Sequence, residues 1–221
     1  MIGGILPISK DSINFATVSP TPEIFPIAQF KQALIEVLDR DKGKAFLYPE
    51  INGYEPFRES ICNFLKENYN MDVSKDQIQV ISGGQQGIDI IAKALISQGD
   101  TILVENPTYS GAMAAFQSRG AKIIGIPMKE DGMDLEVLNR YIKRHSPKFI
   151  YMMTNYQSPT TYSYSEDKKR ELINLSKKYN FYIIEDDFLT DLNYDENKKT
   201  PLKSMDHMDN VIYIKSFSKI F

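Results

Sequence analysis

Apolar positions along this chain follow two periods, and the change between them organises the reading. Phe30, Ala33, Leu34, Val37 and Leu38 repeat at helical spacing, and Lys42-Gly43 closes that helix. Phe57, Ile61, Phe64 and Leu65 mark a second helix face. From residue 78 onward, short β-branched and aromatic runs alternate with helical patterns. The runs Ile78–Ile81, Thr101–Val104, Lys122–Ile126, Phe149–Met153, Phe181–Ile184 and Val211–Ile214 are predicted strands. Between them lie helices through Ile88–Ile96, Met113–Phe116, Leu135–Ile142 and Leu172–Tyr179, the last opened by Ser165 as N-cap. Strict alternation of this kind predicts an α/β fold, three layers with helices on both faces of a mainly parallel sheet. Residues 1–29, with Pro7, Pro20, Pro22 and Pro26, show no sustained period and read as an extended arm.

In sheets of this class, ligands collect at the carboxyl ends of the strands. The segments that follow the predicted strands are all polar. They are Ser82-Gly-Gly-Gln-Gln-Gly87, Glu105-Asn-Pro-Thr-Tyr109, Thr154-Asn-Tyr-Gln-Ser-Pro-Thr160, Glu185-Asp-Asp187 and Ser216-Phe-Ser-Lys219. Together they suit an anionic, aromatic cofactor. Gly84 and Gln85 sit where a strand-to-helix turn presents free N–H groups to a phosphate, although a tight turn without a ligand has the same composition. Ser216 and Ser218 add hydroxyl donors. Tyr109, after Pro107, can lie flat on a heterocycle or be an ordinary half-buried tyrosine. Asp186 and Asp187 follow an apolar run. A carboxylate there can pair with a pyridinium nitrogen, an interaction of ~4 kcal/mol at about 4 Å and an effective dielectric of ~20. A metal site or a capped loop would also use such carboxylates. His145 and His207 are the sole histidines, and neither lies in a ligand-spaced motif, so no metal is expected. Lys219 is the candidate nucleophile, forming a Schiff base with pyridoxal 5'-phosphate (PLP), against the alternative of a surface lysine after an edge strand.

Composition narrows the class without deciding it. The chain has 221 residues, 42% hydrophobic and 25% charged, with a net charge of −3, which offers no footprint for nucleic acid. Lys168-Lys169-Arg170 and Lys177-Lys178 read as the solvated face of one amphipathic helix. The single cysteine, Cys62, suits a reducing, cytoplasmic setting. No apolar run is long enough to span a membrane, and the N-terminus lacks the features of a signal peptide.

Taken jointly, the motifs resemble the class I/II, fold-type-I PLP-dependent aminotransferases. The resemblance is strongest to the aminotransferase-like domain of MocR-type regulators of the GntR family and to stand-alone relatives acting on amino acids such as 2-aminoadipate. It runs from Ile13 to Phe221 and rests on Tyr48–Gly53-Tyr54-Glu-Pro-Phe-Arg58, Ser82–Gln86, Glu105–Tyr109, Tyr156–Thr160, Ile184–Asp187 and Ser216–Lys219. The resemblance implies that Lys219 carries the internal aldimine and that Asp186 partners the ring nitrogen. It gives Tyr109 the stacking role, and it assigns Gly84, Gln85, Ser216 and Ser218 to the phosphate. Tyr48 matches the tyrosine that reaches the phosphate of a neighbouring subunit, so a homodimer is implied.

Two positions depart from the family pattern. Ser158 stands where an asparagine often bonds the cofactor's ring oxygen, and Phe188 stands where the regulators usually carry a tyrosine. The resemblance also implies an arginine downstream of Lys219 and a C-terminal small domain, whereas this sequence ends at Phe221. The expected organisation is an arm and helix over 1–45 contributing to the small domain, and a partial PLP-binding large domain over 46–221. Without the next strand of the family, the run before Ser82 should lack its main hydrogen-bonding neighbour. The implied function is transfer of an amino group between an amino acid and a 2-oxo acid. The alternative is a PLP-binding effector domain of a transcriptional regulator with little turnover.

Overall fold

A computed structural model describes residues 21–48, 50–193 and 199–220; most of the expected N-terminal arm lies outside them. By backbone contacts the described residues divide into two units, one of residues before Leu47 with Lys219 and Ile220, the other Leu47–Ser218. The first unit contains α1 (Ile27–Asp41), which ends where Lys42 adopts a positive φ of 50°. None of its residues is buried, and the predicted stripe of Phe30, Leu34, Val37 and Leu38 is exposed.

The second unit carries α2 (Glu55–Tyr69), α3 (Gly84–Leu95), β1 (Thr101–Asn106), α4 (Ser110–Ser118), β2 (Lys122–Lys129), β3 (Gly132–Met133), α5 (Leu135–His145), β4 (Phe149–Met152), α6 (Glu166–Tyr179), β5 (Tyr182–Asp187) and β6 (Val211–Lys215). The sheet order is β3-β2-β1-β4-β5-β6, parallel except for the short β2–β3 hairpin. Strand alternation sorts the side chains into two cores. On one face Leu103, Ile150 and Ile183 pack with Leu138 and Ile142 of α5 and Leu172 and Leu175 of α6. On the other, Ile102, Val104, Tyr151 and Ile184 pack with Ile88 and Ala92 of α3 and Ala112 and Phe116 of α4. The outcome is the expected three-layer α/β/α arrangement.

Two readings of the sequence are corrected. Residues 78–81 form no strand. Val80 N bonds to Asn52 O at 3.0 Å instead of joining a ladder, and β6 is the last strand of the sheet among the described residues. A groove of about 770 Å³, lined by Ile78, Val80, Val211 and Tyr213 among others, borders both segments. An isolated extended segment has no partner for its backbone groups, so strand propensity alone does not make a strand. The run thus lacks a sheet neighbour, as expected. The second correction concerns Lys169, which is not part of a solvated face. It is fully buried, and its Nζ bonds to Thr200 O at 2.6 Å, Asn155 Oδ1 at 3.1 Å and Glu166 Oε1 at 3.2 Å. Three oxygen acceptors replace its hydration, which is what lets a lysine enter a core.

Candidate active site

The carboxyl ends of β1, β4, β5 and β6 share one end of the parallel sheet, so the loops that follow them gather there. Gly83, with φ of 92°, turns the chain into α3. Gly87 one turn later leaves room for close packing: a Cβ there would come within 2.6 Å of Ile81 and 3.4 Å of Ile214. The N-terminus of α3, with Gly84, therefore rests on β6 two residues before Ser216. Ser216 is buried, and its Oγ lies 3.0 Å from Ser218 Oγ. Glycine turn and serine pair thus border one place, as a phosphate site requires.

Gln85 and Tyr109 meet over Gly111. Gln85 Nε2 donates to Gly111 O at 3.2 Å. A Cβ on Gly111 would lie 2.4 Å from Gln85 Oε1 and 2.5 Å from the Tyr109 ring. Only glycine lets that ring lie against the start of α4. Tyr109 remains 39% exposed, leaving part of the ring available to a planar ligand.

Asp186 is the most telling member. It is buried at the end of β5, and Tyr151 donates to its Oδ2 at 2.5 Å. Burial pushes its carboxyl up to about 6, while the Tyr151 hydrogen bond pulls the other way and Asp187 adds to the rise. Among the described residues no cation pairs with it. A desolvated carboxylate with one neutral donor is incompletely compensated, and a protonated ring nitrogen supplies the missing charge. The donor set therefore fits a pyridinium-bearing phosphate ester. Glu185 and Asp187 are occupied otherwise. Glu185 accepts from Thr154, Leu202 N and Lys203 N, and Asp187 accepts from Lys215 Nζ at 3.0 Å. Among the described residues, no three His, Cys, Asp or Glu side chains are grouped as a metal ion would need.

The Ser158 loop is tied to the Tyr109 loop from beneath. Gln157 is fully buried, and its Nε2 donates to Glu105 Oε2 at 3.0 Å and to Pro107 O at 2.8 Å. Its Oε1 accepts from Thr160 N at 2.9 Å. Ser158 itself is half-buried, and Phe188 packs beside the α3–α4 core. Tyr48 is fully exposed and touches none of these groups by any hydrogen bond described. Lys219 stands in a turn directly after Ser218 in the chain.

The family model for aminotransferase class I and II matches residues 11–221. The chain belongs to the class I and II aminotransferases. Among relatives of this aminotransferase chain, the aromatic-amino-acid aminotransferase 1 of Thermococcus litoralis is 31% identical, covering 96% of this chain and 52% of the relative. A helix-turn-helix transcriptional regulator of Bacillus subtilis, YcxD, is 33% identical over 94% of this chain and 47% of its own length. The solved structure of an α-aminoadipate aminotransferase from Thermus thermophilus, complexed with N-(5'-phosphopyridoxyl)-L-leucine, superposes with a TM-score of 0.85. It is 29% identical and covers 94% of this chain and 52% of its own. The chain thus spans about half the length of the relatives it matches.

Several residues beneath the strand-end loops have little local signature in the sequence. Tyr151 sits in a run, Phe149–Met153, that is buried throughout. The available signal was its hydroxyl, since a tyrosine inside such a strand needs a polar partner. Glu105 and Gln157 were visible as loop residues, but a contact between positions 52 apart in sequence has no local signature. No helix among the described residues is long and apolar enough to cross a membrane.

Proposed function

We propose that this chain is the cofactor-binding portion of a PLP-dependent aminotransferase, moving an amino group between an amino acid and a 2-oxo acid. The observation that carries the proposal is Asp186, a buried carboxylate held by Tyr151 and paired with no cation among the described residues, at the end of β5 where Ser216 N donates to Asp187 O at 3.0 Å. The PLP-derived ligand held by the Thermus relative supports the same cofactor.

When bound, PLP supplies an electron sink that acidifies the substrate's α-carbon. Every other task falls to the chain. Asp186 keeps the ring nitrogen protonated. Tyr109 stacks on the ring and fixes its plane. Gly84 and Gln85 at the start of α3, with Ser216 and Ser218, hold the phosphate, and Ser158 faces the ring's oxygen with a shorter side chain than asparagine. Lys219 would hold the cofactor's aldehyde through its Nζ and, as a free amine, would take up the proton that leaves the substrate's α-carbon. We assign residues 1–45 as an arm and helix contributing to the small domain and 46–221 as a partial large domain. Tyr48 would meet the phosphate of a second copy, making the protein a homodimer. A cytosolic location suits its single cysteine.

A second reading is favoured by Phe188, which offers no hydroxyl to the ring oxygen, and by the likeness to YcxD. In it the site binds PLP as an effector domain with little turnover. The deciding experiment is a half-reaction. The protein loaded with PLP is mixed with single amino acids, and the cofactor's absorbance and released oxo acid are followed. Stoichiometric oxo acid supports the enzyme; retention of PLP without oxo acid from any of the twenty supports the effector.

A further inference from the structure

The hydroxyl of Tyr151 has a task that packing does not explain. Its ring is fully buried on the α3–α4 side of the sheet, edge-on to Phe116 at 5.5 Å between centroids and 71° between planes. A phenylalanine would fill that volume equally well. The hydroxyl instead reaches along the sheet. Tyr151 of β4 pairs in register with Ile184 of β5, and Asp186 is the next residue of β5 on the same face. The phenol is long enough to cover that one step, and it ends 2.5 Å from Asp186 Oδ2.

We infer that Tyr151 is a positioning residue for the cofactor: by holding Oδ2 of Asp186 it fixes the carboxylate plane and leaves Oδ1 for the ring nitrogen. A carboxylate has two rotatable oxygens, and a hydrogen bond to one removes that freedom before the ligand arrives. The donor also favours the ionised form of Asp186, the form a protonated ring needs. The phenol stays a donor, since burial first, and then the Asp186 charge, push its own ionisation well above the usual tyrosine range.

This inference rests on the proposed function, and its test separates the two. PLP affinity is measured by absorbance titration for the wild type, Tyr151→Phe, Asp186→Ala and the double variant, with thermal melting of each as a control for folding. Tyr151→Phe is expected to weaken PLP binding about tenfold, ~1.4 kcal/mol. In the Asp186→Ala background the same change is expected to do nothing further, because its effect runs through that carboxylate. A structural role for Tyr151 would lower affinity equally in both backgrounds, and that result overturns the inference. So does wild-type affinity in Tyr151→Phe when Asp186→Ala binds weakly. Wild-type affinity in Asp186→Ala overturns the proposed site instead, and a wild type that binds no PLP overturns both.

Discussion

Gln157 Nε2 stands 3.0 Å from Glu105 Oε2, joining the loop after β4 to the end of β1 in a fully buried contact. The other oxygen of Glu105 accepts from Tyr164 at 2.9 Å and Met153 N at 3.2 Å, so one carboxyl anchors three segments. Replacing Gln157 by leucine leaves Glu105, Pro107 O and Thr160 N without that partner. Each buried polar group so stranded costs about 1–3 kcal/mol. Urea unfolding of Gln157→Leu should give a midpoint well below wild type, and an unchanged midpoint would show that the strut carries no stability.

Burial sets a distinctive pH dependence. Desolvation pushes the carboxyls of Glu105 up to about 8, Glu185 up to about 7 and Asp186 up to about 6. A group whose folded pKa is raised binds its proton more tightly when folded. Its stabilisation is present below the unfolded value, near 4, and fades as pH rises through the folded one. Stability should therefore fall between about pH 5 and pH 8, by at most ~1.4 kcal/mol per pH unit for each group. Asp131 and Asp134, held low by Lys168 and Lys129, act oppositely, and their contribution is lost only in stronger acid. Glu105→Gln should flatten the alkaline part of the profile. A melting temperature that rises from pH 5 to 8 would contradict this account.

Gly111→Ala separates stability from ligand binding. In the first turn of α4 an alanine favours the helix by up to about 1 kcal/mol. Its methyl, however, would occupy space held by Tyr109 and Gln85. The expected outcome is a melting temperature equal to or above wild type with PLP affinity several-fold weaker. Unchanged affinity would mean that the tyrosine ring does not face the cofactor from that position.

Lys215 is a second lysine near the end of β6, and its surroundings give it a structural task. Its Nζ is 2.5 Å from Asp191 and 3.0 Å from Asp187, with only 7% of the side chain exposed. Removing one member of a buried ion pair costs about 3–5 kcal/mol, since the remaining charges lose their compensation. Lys215→Met should lower the unfolding free energy from urea titration by a comparable amount. Near-wild-type stability would show that the pair is loosely held.

Much of this architecture was legible in the sequence because it is written locally. The β-branched runs at 101–104, 149–152 and 211–214 lie in strands, and Ser165 caps α6 through its bond to Lys168 N. What escaped depends on partners distant in the chain. Residues 78–81 have the residues of a strand, yet a strand exists only where a neighbour supplies the ladder. Lys169 carries a charge that composition places outside; Thr200 O and Asn155, far along the chain, bring it inside. The loops proposed to form the site are singled out by their position after strands and by their resemblance to a family. The side chains beneath them, Tyr151, Glu105 and Gly111, were not, because their tasks arise only once β1, β4 and β5 lie side by side.

The proposed site has Lys219 and the loops that follow the strands serving one cofactor. The most direct measurement is to mix the protein with PLP, reduce with borohydride and map the modified peptide by mass spectrometry. The expected result is a single stoichiometric label on Lys219, lost in Lys219→Ala. A label on Lys215 or spread over surface lysines, or none at all, would contradict it.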